Sequence, residues 1–117
     1  MKLDWLRKQC LAFPGATENV QWGSDLVFKV AGKMFVVSNT EPGAQYAVSF
    51  KCSPEEFGEL TARVGIVPAP YLARAKWVAV EAGALTEGEL KVLLRKSYEL
   101  VVAALPKKVR TVLELVK

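Results

Sequence analysis

Between Asn19 and Lys51 the apolar residues recur at every second position, and this period constrains the fold more than any other feature of the chain. Leu26, Phe28 and Val30 alternate with Val27 and Lys29. The run Lys33 to Ser38 follows Ala31 and Gly32, and Tyr46, Val48 and Phe50 then alternate with Ala47, Ser49 and Lys51. Successive side chains of a strand point to opposite faces, so each run reads as a strand with one face on a core. Ala31-Gly32 suits a tight hairpin and Glu41-Pro42-Gly43 a wider turn, which makes sequential strands antiparallel neighbours. A short strand around Val20 to Trp22 is expected before this meander. After it, Lys76 to Glu81 supplies another, with Val78 and Val80 alternating with Trp77 and Ala79.

The flanking segments change to a helical period. Leu3, Leu6, Cys10 and Phe13 form one stripe, which Pro14 and Gly15 end. Ser53-Pro54-Glu55-Glu56 announces a second helix, with Ser53 as N-cap, Glu56 closing a capping box, and Phe57, Leu60 and Val64 as the buried stripe. Glu55, Glu56 and Glu59 complement the positive end of that helix, so the acidic cluster reads as structural and not as a metal site. Gly65 to Pro70 reads as irregular, because neither Pro68 nor Pro70 fits a helix interior or a central ladder. Thr86-Glu87-Gly88-Glu89 opens a long helix to about Leu105, with Leu90, Leu94, Ser97 and Val101 on its core stripe and Leu93 widening it. After Pro106 a last helix places Val109, Val112, Leu113 and Val116 on one side.

These elements predict an α+β fold, one domain over residues 1–117, with helices covering one face of an antiparallel sheet. Leu26, Phe28, Tyr46, Val48, Phe50, Val78 and Val80 are expected on the covered face; Lys29, Ser49, Lys51 and Trp77 would then stand on the open one. Trp5, Trp22 and Trp77 nevertheless read as packing residues more than as stacking rings.

A chain of 117 residues buries enough surface to need no disulfide or structural metal. Cys10 and Cys52 lie far apart and the chain has no histidine, which excludes a zinc site, a dithiol motif and every triad or shuttle that needs an imidazole. Cys10 falls on an apolar stripe and reads as a small buried hydrophobe. There is no Gly-rich phosphate loop, no Gly-x-Ser-x-Gly elbow and no carboxylate pair of defined separation. A non-enzymatic protein without metal or cofactor is the expectation. No apolar run approaches the ~20 residues that span a bilayer, and Asp4, Arg7, Lys8 and Gln9 interrupt the start. With two free thiols, the chain reads as a bacterial cytoplasmic protein with no membrane partner.

The formal charge is +4, and its location says more than its size. From Lys91 to Lys117 there are seven Lys or Arg against two Glu, whereas the preceding residues carry nine basic against ten acidic side chains. On the long helix Lys91, Arg95 and Tyr98 recur at helical spacing as a basic and aromatic stripe. Tyr98 could instead widen the core, and Arg95 could pair with Glu99 four residues on. Lys107, Lys108 and Arg110 open the last helix, where cations oppose the macrodipole. Stability alone would place acids there, so this end is a candidate for meeting an anion. Lys29, Lys33 and Lys51 on the sheet, with Trp77, resemble a nucleic-acid platform in composition. The alternative is a small-molecule or protein interaction module with a pocket near Pro68, Pro70, Tyr71 and Trp77, flanked by Arg74 and Lys76.

The order of motifs extends the reading. Cys10 to Glu18 (CLAFPGATE), Trp22-Gly23, Phe28-Lys29-Val30, Gly32-Lys33-Met34-Phe35, Phe50-Lys51 with Pro54-Glu55, Val67-Pro68-Ala69-Pro70-Tyr71, Lys76-Trp77-Val78 and Ser97-Tyr98-Glu99-Leu100-Val101 with Leu105-Pro106-Lys107-Lys108 together resemble the MmcQ/YjbR family over nearly the whole chain. The resemblance implies a CyaY-like two-layer α+β sandwich with a double-wing DNA-binding motif, hence DNA as partner, and it brings no catalytic residues. The relation of that fold to frataxin raises iron handling, which would need an acidic first helix. Here only Asp4 stands against Lys2, Arg7 and Lys8, which disfavours iron. The expected DNA contacts are Lys29, Lys33, Lys51, Lys91, Arg95, Lys107, Lys108 and Arg110.

Overall fold

A computed structural model describes residues 2–115 of the chain. Within them the elements run α1 (Leu3–Leu11), β1 (Ala16–Gln21), β2 (Asp25–Val30), β3 (Lys33–Asn39), β4 (Tyr46–Lys51), α2 (Pro54–Thr61), β5 (Ile66–Pro68), β6 (Trp77–Glu81), α3 (Glu87–Ala103) and α4 (Lys107–Leu115). The strands form an antiparallel sheet in the order β1-β2-β3-β4-β6-β5. β2, β3 and β4 are the expected meander, whereas the strand before it, expected around Val20 to Trp22, is longer and lies earlier, at Ala16–Gln21. At the β2–β3 hairpin Ala31 and Gly32 both take left-handed backbone, with φ of 50° and 77°, as the tight turn whose twist matches the strands requires.

The segment expected to be irregular contains an edge strand instead. Ile66–Pro68 pairs only with β6, so Pro68 at its end removes no second ladder and the proline is tolerated. The second stripe is likewise shorter than expected. α2 ends at Thr61, which leaves Val64 beyond it and 96% exposed. Both capping boxes form, Ser53 with Glu56 and Thr86 with Glu89.

α1 and α3 lie against one face of the sheet, and α2 closes it beside β5 and β6. Leu6, Cys10, Leu26, Phe28, Phe50, Val78, Leu94 and Val101 belong to the core between the layers. Tyr46 does not: the register shifts between Tyr46 and Val48, which turns Tyr46 to the other face. A second shift, opposite Phe28 and Lys29, lets the adjacent Phe35 and Val36 both enter the core. Ser97, expected on the core stripe, is fully buried. Its hydroxyl donates to the Phe35 carbonyl at 2.6 Å and accepts from the Lys51 backbone N–H at 3.0 Å, tying α3 to β3 and β4.

Candidate functional site

The eight cations expected to hold DNA divide between the two sides of the sheet. Lys29 alternates with the buried Phe28 and so stands on the face away from α3, as does Lys51, whose Nζ donates to the Ala75 carbonyl at 2.5 Å. Lys33 is exposed at the β2–β3 turn. Lys91 and Arg95 are exposed on the solvent side of α3, behind the helix layer. No single strand of nucleic acid lying on one surface reaches both groups.

The helix-side cations do converge. A cleft of about 420 Å³ lies between Phe13-Pro14, α3 and α4, and Arg95 and Arg110 both line it, with Glu99 and Glu114 beside them. Arg95 also lines an adjoining depression with Lys91, between α1 and α3. Lys107 precedes Arg110 by one helical turn and shares its face, whereas Lys108 is rotated from Lys107 by about 100°. Arg110 Nε is buried and has no hydrogen-bond partner among the described residues. Three other cations are consumed by carboxylates: Arg7 by Glu18, Arg63 by Glu89 at 2.7 Å, and Lys96 by Glu56 at 2.8 Å. Lys91, Arg95, Lys107, Lys108 and Arg110 enter no ion pair among the described residues, so the expected Arg95–Glu99 pair does not form.

Packing explains why this cleft exists. Tyr98 belongs to the core and not to the basic stripe: it stacks on Phe13 at 4.9 Å between ring centroids and meets Phe35 edge-on at 5.4 Å. Its hydroxyl donates to the Pro14 carbonyl at 2.6 Å, which ties α3 to the end of α1, and burial pushes its pKa up. α4 approaches through Leu113 over Gly15, where a Cβ would come within 2.5 Å of the leucine Cδ2 and where φ is +72°. Val112, expected on the buried side of α4, is exposed, and Val116 lies outside the described residues.

The alternative pocket also changes shape. Trp77 is only 4% exposed and packs with Ala69, Ala79, Met34, Val37 and Leu72 in a small cluster on the sheet face away from α3. It therefore offers no ring for stacking. Lys76 turns the other way, with Nζ 5.1 Å from the Phe57 ring centre, and Arg74 sits exposed on the turn Ala73–Ala75. Of that set Pro70 and Tyr71 line a groove, of about 530 Å³, together with Trp22 and Asp25 from the β1–β2 end. Trp22 is not a packing residue but 67% exposed. The signal that could have singled it out is the Trp22-Gly23 pair, a turn in which glycine or asparagine would be the ordinary choice.

Both thiols are buried and unpaired with each other. Burial pushes Cys10 up to about 12 and Cys52 up to about 11. Among the described residues no group of three or more Cys, Asp or Glu could hold a metal ion, and no helix is long and apolar enough to cross a membrane.

An antiparallel sheet with its helices on one face defines an α+β domain of the two-layer type, and a cleft lined by Arg95 and Arg110 opens beside those helices. The family model YjbR matches residues 11–100, and the chain belongs to that family. The crystal structure of the Deinococcus radiodurans protein DR2400, with the domain DUF419, is similar at a TM-score of 0.82 and 30% identity, over 97% of this chain and 88% of that one. A protein from Pseudomonas syringae shares the fold at a TM-score of 0.70 and 20% identity, over 86% of this chain and 98% of that one. No curated protein matches the chain.

Proposed function

We propose that this protein is a non-enzymatic DNA-binding protein that holds backbone phosphates along α3 and the start of α4. The observation that carries the reading is the meeting of Arg95 and Arg110 in one cleft, with no ion pair for either and no acceptor for the buried Nε of Arg110 among the described residues. A phosphate oxygen would supply that acceptor, and charge-assisted bonds of this kind are the stronger ones. Glu99 and Glu114 balance the cleft itself, so the excess positive charge lies outside its lining, at Lys91 in the adjoining depression and at Lys107 and Lys108 at the start of α4. The cations that oppose the macrodipole of α4 are then placed for a partner and not for the helix. Lys29, Lys33 and Lys51 fall outside this interface.

Salt-dependent binding of a fluorescent duplex tests the reading. With four phosphates neutralised, log K is expected to fall with log salt at a slope of about −3 to −4. Replacing Arg95→Glu with Lys107→Glu should weaken binding by about tenfold or more at low salt and flatten the slope. Lys29→Glu with Lys33→Glu, the same change in net charge on the sheet, should leave most of the affinity. Absence of binding to duplex and single strands at low salt, or equal weakening by both double variants, would overturn the proposal.

A further inference from the structure

The groove on the face away from α3 has a different chemistry from the arginine-lined cleft. Its floor is apolar, from Met34 and Val37, and its walls are two exposed aromatic residues from different parts of the chain, Trp22 after β1 and Tyr71 after β5. Both take left-handed backbone, with φ of 50° and 65°. A bulky residue there is strained relative to glycine or asparagine, and exposure means that packing does not compensate for the strain. Such outliers at the mouth of a concavity point to use of the rings.

The polar groups of the groove fix the sign of the ligand. Asp25 is the one charged residue in the lining, and no ion pair neutralises it among the described residues. Ser49 is the other polar side chain in the lining, and its hydroxyl carries no charge. No Lys or Arg lines the groove, although the chain carries a net +4. Two aromatic faces and a carboxylate outside any ion pair among the described residues suit a positively charged guest, because ring faces and carboxylates both attract cations. A phosphate or carboxylate would meet no cation there.

We propose that this groove is a binding site for a small organic cation with a flat apolar body. Trp22 and Tyr71 flank the apolar part and the charge, and Asp25 supplies the counter-ion. The volume of about 530 Å³ falls in the range of small-molecule sites. This site is independent of the DNA-binding reading, since it shares none of the residues placed at α3 and α4.

Benzyltrimethylammonium serves as the probe, titrated into the full chain while the indole and backbone signals are followed by NMR. Neopentylbenzene, its uncharged isostere, and benzenesulfonate are the controls. The expected result is saturable shifts at Trp22, Asp25 and Tyr71 with the cation alone. Trp22→Ala should weaken binding about tenfold and Asp25→Asn by several-fold, and Arg95→Glu with Lys107→Glu should change nothing. Trp22→Gly, which suits the left-handed turn, keeps the test valid if the alanine variant is poorly folded. No saturable shift at millimolar probe, equal binding of either control, or full affinity in Asp25→Asn would each overturn the proposal.

Discussion

On its helix-covered side the sheet buries Phe28, Phe35 and Phe50 completely, and α1, α2 and α3 seal them. On the other side only Ala69, Trp77 and Ala79 form a buried cluster, and half-buried Met34 and Val37 are left as the floor of a groove. The sheet is the same; what differs is the cover. A face under three helices can spend its residues on packing, whereas a face under one short segment, residues 69–72, keeps apolar surface and unpaired polar groups in contact with solvent. The functional candidates follow this division. Cations collect where the helices turn their outer sides to solvent, and the aromatic groove opens where helices are missing.

The largest effect should come from emptying the covered side. Phe35→Ala is expected to cost about 3–5 kcal/mol, read as a lowered urea midpoint, because a fully buried ring leaves a cavity against Phe13, Tyr98 and the helices. Val37→Ala, two residues along on the other face, should cost only about 1 kcal/mol, since its side chain already meets solvent. Equal losses would break the distinction between the faces.

A smaller effect should come from the hydroxyl that joins the layers. Ser97→Ala strands a buried N–H and a buried carbonyl at once, and is expected to cost about 1–3 kcal/mol. Faster hydrogen exchange at the Lys51 amide, with exchange at the Val27 amide little changed, would locate the damage at the α3 contact. An unchanged Lys51 amide would mean that Ser97 fills space and does not join the layers.

Much of this arrangement can be read in the alternation and the caps. The meander, both capping boxes, the α3 stripe including Ser97, and the burial of Cys10 all follow from local rules that tertiary contacts do not contradict. What alternation misreads is what a single extra residue changes: the shifts beside Tyr46 and Phe35 move side chains between faces without altering composition. The site was legible only in its parts. Helical spacing places Lys91 and Arg95 together, but nothing in the spacing says that α4 folds back, with Leu113 over Gly15, to bring Arg110 into the cleft that Arg95 lines. Trp77 is buried as a packing residue, as expected, and Trp22 is not, for a related reason. Burial of a strand residue depends on what crosses its face, and the segment that covers Trp77 stops short of Trp22.

The smallest effect is a dependence on acid, and it too separates the faces. The Arg63 side chain, with the backbone and hydroxyl of Thr86, holds the Glu89 carboxyl down to about 2 from an ordinary 4.5. Because the folded chain binds this proton less tightly than the unfolded one, the contribution is complete above about 4.5 and is lost as pH falls towards 2. Arg7 keeps Glu18 low as well; burial pushes Glu56 upward, but Lys96 and Ser53 outweigh it. All three carboxylates belong to the helix-covered side or its margin. Melting temperature should therefore fall between pH 4.5 and 2, and Glu89→Gln should flatten only part of that fall, leaving the share of Glu18 and Glu56. Arg63→Gln should flatten it similarly, and adding Glu89→Gln to Arg63→Gln should change little more, since the two side chains act as one pair. If Glu89→Gln leaves the acid slope untouched, the clip between α3 and the end of α2 does not stabilise the covered face, and its rigidity rests on apolar packing and Ser97 alone.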